Sequence, residues 1–320
     1  MKYLPENIDK IDQKILITLD MDARMPLSRL AKICKISRDK VNYRINRLLQ
    51  KNILGGFYTL IDIERLGYAN YVVFLKIKNK EDEIVSYLKN NSHVNWLVNA
   101  EMQWDIVTWI AAKDQFTFIK FWKEFSERFE NSLINAEIAI LGSLVHYKRH
   151  FFTNEKNEDE IVVFGGRERR EIDDKDMEIL RAISFDARIK LLDLAKKVNL
   201  NFKTLQKRIR MLEKEQIIIG YRTYLNYSEI GYNYYLILLR LSNINKEILN
   251  KIRSYVKLDP YIDVSWQLIG KANMAIHIKA KNDKHLREVF NSFKNKFQDY
   301  IIDYETLLLY KQHKFVSFPS

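Results

Sequence analysis

The chain of 320 residues contains one cysteine, Cys34, which excludes an intramolecular disulfide framework and fits a reducing compartment such as the cytoplasm. No apolar run approaches the roughly 20 residues needed to cross a bilayer, so no membrane role is expected. The first ten residues, MKYLPENIDK, lack the apolar centre of a signal peptide. The six histidines are scattered, and His146 and His150 sit in a strand-like stretch without cysteine or carboxylate neighbours, so no metal site and no cofactor are expected. Acidic residues are outnumbered, 41 Asp and Glu against 53 Lys and Arg, for a formal net charge of +12. A sequence pI near 9.4 makes a polyanion the natural partner class. With 47% hydrophobic and 29% charged residues the composition is globular, and the length suits two ordinary domains or four small ones.

The stretch Ser37 to Lys51, SRDKVNYRINRLLQK, carries Val41, Ile45, Leu48 and Leu49 at helical spacing behind a serine suited to cap the first turn. Its other face holds Asp39, Lys40, Tyr43 and Arg47, with Arg38 and Arg44 on the flanks. Upstream, Ile8, Ile11, Ile15, Leu16 and Leu19 form one helical face behind Asp9, and Leu27 to Cys34 forms a second short helix. Two short helices followed by a basic third is a helix-turn-helix arrangement, and Ile53 to Ile63, with Gly55-Gly56, reads as a wing-like strand. From Asn70 the period changes to strand, helix, strand, strand, helix, strand, the βαββαβ order of a ferredoxin-like unit. The aromatic stripe Phe118, Phe121, Trp122, Phe125 and Phe129 is core. In the strand Tyr71–Ile77 the apolar residues occupy both faces, as they do in Tyr235–Leu241. Helices cover only one face of such a sheet, so the other is expected to pack on a second sheet of the same kind.

The plan then restarts. From Ile172 the sequence aligns without a gap on that from Ile8 at a constant offset of 164, with roughly 23 of about 72 positions identical. The expected architecture is α+β, a tandem duplication: a winged helix-turn-helix domain over 1–62, a βαββαβ domain over 63–150, an exposed linker over 151–171, a second helix-turn-helix domain over 172–226 and a second βαββαβ domain over 227–320. The scaffold positions of the two third helices agree. Their outward positions differ, as in Ser37/Asn201, Arg38/Phe202, Asp39/Lys203, Tyr43/Lys207 and Arg47/Met211. Candidate DNA contacts are Ser37, Arg38, Lys40, Tyr43, Arg44 and Arg47 in the first copy, and Lys203, Thr204, Gln206, Lys207, Arg208 and Arg210 in the second. Arg44 and Arg208 lie beside the apolar stripe, where a phosphate contact and a structural ion pair with Asp22 or Asp186 are both open. The unlike outward faces predict an asymmetric double-stranded DNA site, against a second helix that only grips phosphate.

These motifs together resemble the Lrp/AsnC regulators. Both copies carry the signature, as IDKIDQKIL, DAR, LAK, RINRL, ILGG and LGY, and as IDDKDMEIL, DAR, LAK, RIRML, IIIG and IGY. The resemblance implies a non-enzymatic, sequence-specific transcriptional regulator whose βαββαβ sheets pack face to face, here with both halves of a dimer in one chain. It leaves open assembly into homo-oligomers through those sheets. It also implies an amino-acid effector near the turn between the second and third strands of each sheet, where the family has a glycine followed three residues later by aspartate. The first copy has Asp105 without the glycine; the second has Gly270 but Asn273 in place of the acid. Two alternatives stand beside this reading. Sirohaem decarboxylases resemble the same two-domain unit, but their His-Asn-Tyr stretch is missing from HVNWLVNA and YIDVSWQLIG, and His93 falls in the loop before its strand. An architectural DNA-coating protein of low specificity would share the basic charge.

Overall fold

In the computed structural model, the residues described are 8–149 and 159–319. Residues 1–7, over which most of the signal-peptide reading falls, His150, and residues 151–158 of the expected linker lie outside them.

The first helical unit comprises α1 (Lys10–Asp20), α2 (Leu27–Cys34) and α3 (Arg38–Gln50). Helix α1 starts with a reciprocal cap. The Asp9 carboxylate accepts from Ile11 and Asp12 backbone nitrogens at 2.8 and 2.9 Å, and Asp12 accepts back from the Asp9 nitrogen. Ser37 caps α3 by accepting from the Lys40 nitrogen at 3.3 Å, and Val41, Ile45 and Leu48 are buried as their spacing predicts. The strand that follows, β1 (Leu54–Ile61), leads into the first sheet: β2 (Ala69–Ile77), α4 (Glu81–Asn90), β3 (Val94–Met102), β4 (Ile106–Ala112), α5 (Gln115–Arg128) and β5 (Leu133–Tyr147). After β6 (Glu160–Phe164) the order repeats: α6 (Asp174–Phe185), α7 (Leu191–Lys197), α8 (Phe202–Lys214), β7 (Ile218–Leu225), β8 (Asn233–Leu241), α9 (Lys246–Leu258), β9 (Ile262–Ile269), β10 (Met274–Ala280), α10 (Asp283–Phe297) and β11 (Ile301–Phe315).

The two copies are joined at two levels. Strands β1 and β7 pair antiparallel, and the alanine of each DAR motif donates to the other copy's strand: Ala23 to Tyr221 oxygen at 2.9 Å, Ala187 to Phe57 oxygen at 3.0 Å. Beyond them, the two four-stranded sheets close into a ring in the order β2, β4, β3, β11, β8, β10, β9, β5 and back to β2. Closure depends on the length of β5 and β11. Strand β5 pairs with β2 through Leu133–Ile140 and with β9 through Ile140–His146. Strand β11 pairs with β8 through Ile301–Leu309 and with β3 through Leu307–Phe315. A closed ring removes the free edges that an isolated sheet would expose.

The inward faces of both sheets meet in one core that includes Val72, Phe74, Trp96, Trp109, Leu236 and Trp266, while α4 with α5 and α9 with α10 cover the outward faces over separate cores. Strands apolar on both faces are thereby accounted for. The expected linker is different from its reading. Within its described part, β6 pairs with β5, Phe164 is fully buried, and Arg167 donates to the Asp62 carboxylate at 2.8 Å. The apolar run IVVF is drawn into the core because β5 offers it an unpaired edge.

Candidate nucleic-acid interface

Helices α3 and α8 hold equivalent places on either side of the β1–β7 ribbon, and each presents a polar face to solvent. On α3, Ser37, Arg38, Asp39, Lys40 and Tyr43 are exposed, with Tyr43 at 66%. On α8, Lys203, Lys207 and Arg210 are exposed, Thr204 and Gln206 are half-buried, and Asn201 caps the helix by accepting from the Thr204 nitrogen at 2.8 Å. Phe202 and Met211 are also exposed, so the outer face of α8 is less polar than that of α3.

Arg44, Arg47 and Arg208 do not point freely outward. Arg44 donates to Asp9 at 2.6 Å and to Asp12 at 2.9 Å, and Arg47 is ion-paired with the same Asp12, whose side chain is fully buried. In the second copy Arg208 donates to Asp173 at 2.8 Å and Asp176 at 2.9 Å. The hydrogen bond that Arg44 donates to Asp9 raises its pKa above the ordinary value, and the one that Arg208 donates to Asp176 does the same there. These arginines therefore bolt the third helix to the start of the first in each unit. The expected partners, Asp22 and Asp186, are corrected to the capping aspartates. Arg47 turns away from the outward direction its position on the wheel suggested because a buried carboxylate with a second oxygen to satisfy lies within its reach.

The candidate effector residues fall in two turns. Asp105 accepts from Lys76 Nζ at 2.7 Å and from the Ile77 nitrogen at 2.8 Å. Asn273 accepts from the Leu241 nitrogen at 2.9 Å and donates to the Leu241 oxygen at 2.8 Å. Ile77 and Leu241 are the same position in the two copies, so in each the acid or amide closes the end of a strand. Gly270 is exposed and lies close to β5, where an added Cβ would stand 2.9 Å from Ala139 Cβ. The two turns meet at Glu305, which is ion-paired with Lys271 and accepts from Trp104 Nε1 at 3.2 Å.

A polar cluster that the sequence reading missed lies between the helical units and the ring. Arg149 donates from its guanidinium to Asp20 at 2.7 Å, to the Thr223 oxygen at 2.9 Å and to Asp263 at 3.3 Å. Arg222 donates to both Asp20 oxygens, Lys279 Nζ stands 2.7 Å from Asp263, and Tyr227 donates to Asp263 at 2.6 Å. Burial disfavours the charged form of each aspartate, but the cations win: Arg222 and Arg149 hold Asp20 below its ordinary pKa, and Lys279 and Arg149 do so for Asp263. Burial brings Lys279 down to about 8, against the pull of Asp263. His146 and His277 are held neutral, well below the usual imidazole range, first by burial and then by Arg222 and Lys279 respectively. The signal available in the sequence was Asp263, His277 and Lys279 interrupting otherwise apolar strands.

The comparisons with known proteins agree with this layout. The AsnC-type helix-turn-helix domain matches residues 8–49, and a winged helix-turn-helix DNA-binding description matches residues 172–219. The HTH-type transcriptional regulator Ptr1 of Methanocaldococcus jannaschii is 31% identical over 119 residues, which span 37% of this chain and 80% of Ptr1. The HTH-type transcriptional regulator FL11 of Pyrococcus horikoshii is 28% identical over 109 residues, 33% of this chain and 72% of FL11. Among solved structures, the siroheme decarboxylase NirDL shares the fold over 97% of this chain and 94% of its own, with a TM-score of 0.65 at 12% identity.

Proposed function

The chain belongs to the Lrp/AsnC family of DNA-binding transcriptional regulators, and from that premise we propose that it acts as a single-chain pseudo-dimer reading an asymmetric operator. The observation that supports this is the pairing of like scaffolds with unlike outer faces. Helices α3 and α8 flank one ribbon across which the copies exchange equivalent bonds, yet Tyr43 of one stands where Lys207 stands in the other. Two identical helices related by a two-fold axis would call for a palindrome; two unlike ones call for two unlike half-sites. Helix α3 supplies the base reading, through Arg38, Lys40 and Tyr43. Helix α8 supplies Lys203, Lys207 and Arg210, with Gln206 and Thr204 nearer the scaffold.

In vitro selection of bound duplexes at controlled salt tests this reading. Two different half-sites about one helical turn apart are the expected result. A clean palindrome overturns the asymmetric reading, and no enriched motif with a steep salt dependence replaces it by an architectural role.

A second reading, an enzyme acting on a tetrapyrrole, draws on the whole-chain likeness to NirDL and on the two buried histidines. At 12% identity that likeness concerns fold alone. The cavity beside those histidines has a free volume of about 80 Å³, well under the roughly 300–1,000 Å³ of ordinary ligand pockets. The absence of any absorbance change on titrating the protein with a ferric uroporphyrin disposes of this reading; a saturable Soret shift revives it.

A further inference from the structure

Duplication should yield two equivalent interiors, but the polar cluster occupies only one. Strand registers match Asp263, His277 and Lys279 of β9 and β10 with Asn95, Trp109 and Ala111 of β3 and β4. By the pairings with β9 and β3, His146 corresponds to Phe315 and, three residues further on, Arg149 to Phe318, while Arg222 corresponds to Tyr58 and Asp20 to Ser184. Beside the cluster lies the cavity of about 80 Å³, lined by Trp96, Trp109 and Trp266 on its apolar side and by His146, His277, Arg149 and Asp263, the last ion-paired with Lys279 and Arg149, on its polar side.

Two features of this cavity point to a ligand. Within the cluster, Arg149, Arg222 and Lys279 face only two carboxylates, Asp20 and Asp263, which leaves an excess of one buried positive charge. An uncompensated buried charge is costly, and an anion would neutralise it. In addition, His277 Nε2 and His146 Nδ1, on side chains that line the cavity, are buried without a hydrogen-bond partner. The Tyr234 hydroxyl, kept protonated by burial, is bonded to His277 Nδ1; in the tautomer in which it donates there, Nε2 carries the imidazole proton and is a donor in search of an acceptor. The Trp266 ring lies against that imidazole, with centroids 4.3 Å apart. Access is available: Tyr58, Tyr224, Gln312 and Phe315 line both the cavity and the open groove that ends at Gly55 and Gly56.

We propose that this cavity is a single, one-sided effector site for a small monocarboxylate with an apolar body, its carboxylate taken by His277 and Arg149 and its body by the three tryptophans. At roughly 15 Å³ per occupied position, the free volume holds about five heavy atoms. That matches a short branched acid and excludes large ligands. The site reaches one DNA probe through a helix and the other only through strand β7, where Arg149 meets Thr223. Arg149 touches Asp20 at the end of α1, and α1 is bolted to α3 through Asp12 with Arg44 and Arg47. The counterpart of Arg149 in the other half, the buried Phe318, can form no such link. The acid is therefore expected to change binding more at the α3 half-site than at the α8 half-site. This coupling rests on the regulator reading above; the existence of the site does not.

The test is calorimetric and fluorimetric titration of the full chain with sodium propionate, sodium isobutyrate and sodium pyruvate, with propionamide and isobutyramide as neutral controls. One acid bound per chain, with a change in tryptophan emission and no binding of its amide, is the expected result. His277→Phe keeps the ring and removes the donor, and should weaken binding about tenfold or more. Its fold is checked by thermal unfolding, and His146→Gln serves as the second variant should it fail to fold. No saturable binding of any of the three acids at millimolar concentration, two acids per chain, equal binding of the amides, or unchanged binding in the folded variants each overturns the site. Footprinting on the selected DNA then separates the two proposals. Acid binding without a selected motif removes the regulator and keeps the site; equal effects on both half-sites remove the one-sided wiring.

Discussion

Arg149 at the end of β5 binds Asp20 at the end of α1 twice, from its backbone nitrogen at 3.0 Å and from its guanidinium at 2.7 Å. Both side chains are at least 95% buried, and Arg222 from the other copy closes on the same carboxylate at 2.8 Å. Asp20→Asn leaves two buried guanidinium groups facing a neutral amide and should cost about 3–5 kcal/mol. Arg149→Met leaves Asp20 one cation and should cost about 2–3 kcal/mol. Because the two share one contact, the double variant should lose less than the sum. Urea unfolding of the four proteins measures this, and strict additivity would show that the pair is not a unit.

Acid should weaken the fold in two stages. His146 and His277 are neutral when buried, so below the unfolded histidine pKa of about 6.5 the unfolded chain takes up protons that the folded one refuses. Their contribution is present above that pH and is lost as pH falls through it. Asp20 and Asp263, held down by their cations, contribute above a pKa of about 3.9, and that part is lost further into acid. Asp259, pushed up to about 6 by burial, runs the other way: its contribution is present below about 3.9 and is lost as pH rises through 6. Two histidines outweigh one aspartate, so the melting temperature should fall between pH 7 and pH 5. The fall should be shallower in His277→Phe and steeper in Asp259→Asn, which also gains about 1–2 kcal/mol above pH 7. A flat profile in the parent protein would contradict the buried neutral state of the imidazoles.

Much of this was legible in the residues. Helical period and capping placed α1, α2 and α3, and residues apolar on both strand faces required a second sheet. Ring closure was not legible, because it depends on β5 and β11 being long enough to serve two sheets at once, and pairing partners are a tertiary property. The partner of Arg44 is not legible for a similar reason. Asp22 lies in the conserved-looking DAR triplet of the repeat, whereas the structure brings the cap of α1 to the flank of α3 and leaves Asp22 bridged to Tyr221. The central cluster is not legible because Arg149, Asp20 and Asp263 come from three distant segments, and charge at single positions reads as surface until the burial is known.

The two helical units should not be equally dependent on their capping aspartates. Asp12 is fully buried and holds both Arg44 and Arg47, whereas Asp176 holds Arg208 alone, since Met211 replaces the second arginine. Asp12→Ala should cost about 3–5 kcal/mol, and Asp176→Ala about 1–3 kcal/mol. Met211→Arg should raise the cost of Asp176→Ala toward that of Asp12→Ala by supplying the missing partner. Thermal unfolding of the single and paired variants decides it; equal losses in the two units would show that the second arginine is a spectator.

On DNA, the exposed cations and the bolted ones should behave differently. Lys203→Ala and Lys207→Ala each remove an exposed charge from α8, and each should lower the slope of log affinity against log salt by roughly 0.9. Tyr43→Ala removes a neutral exposed side chain from α3, so the slope should stay while preference for the chosen half-site drops by about 1–2 kcal/mol. Arg44→Ala is the informative third case. Its guanidinium is already engaged by Asp9 and Asp12, so its loss should lower stability with little change in the salt slope. If Arg44→Ala instead lowers the slope as far as Lys207→Ala does, then the guanidinium leaves the aspartates for phosphate when DNA arrives, and the ion pair is a store from which a DNA contact is drawn.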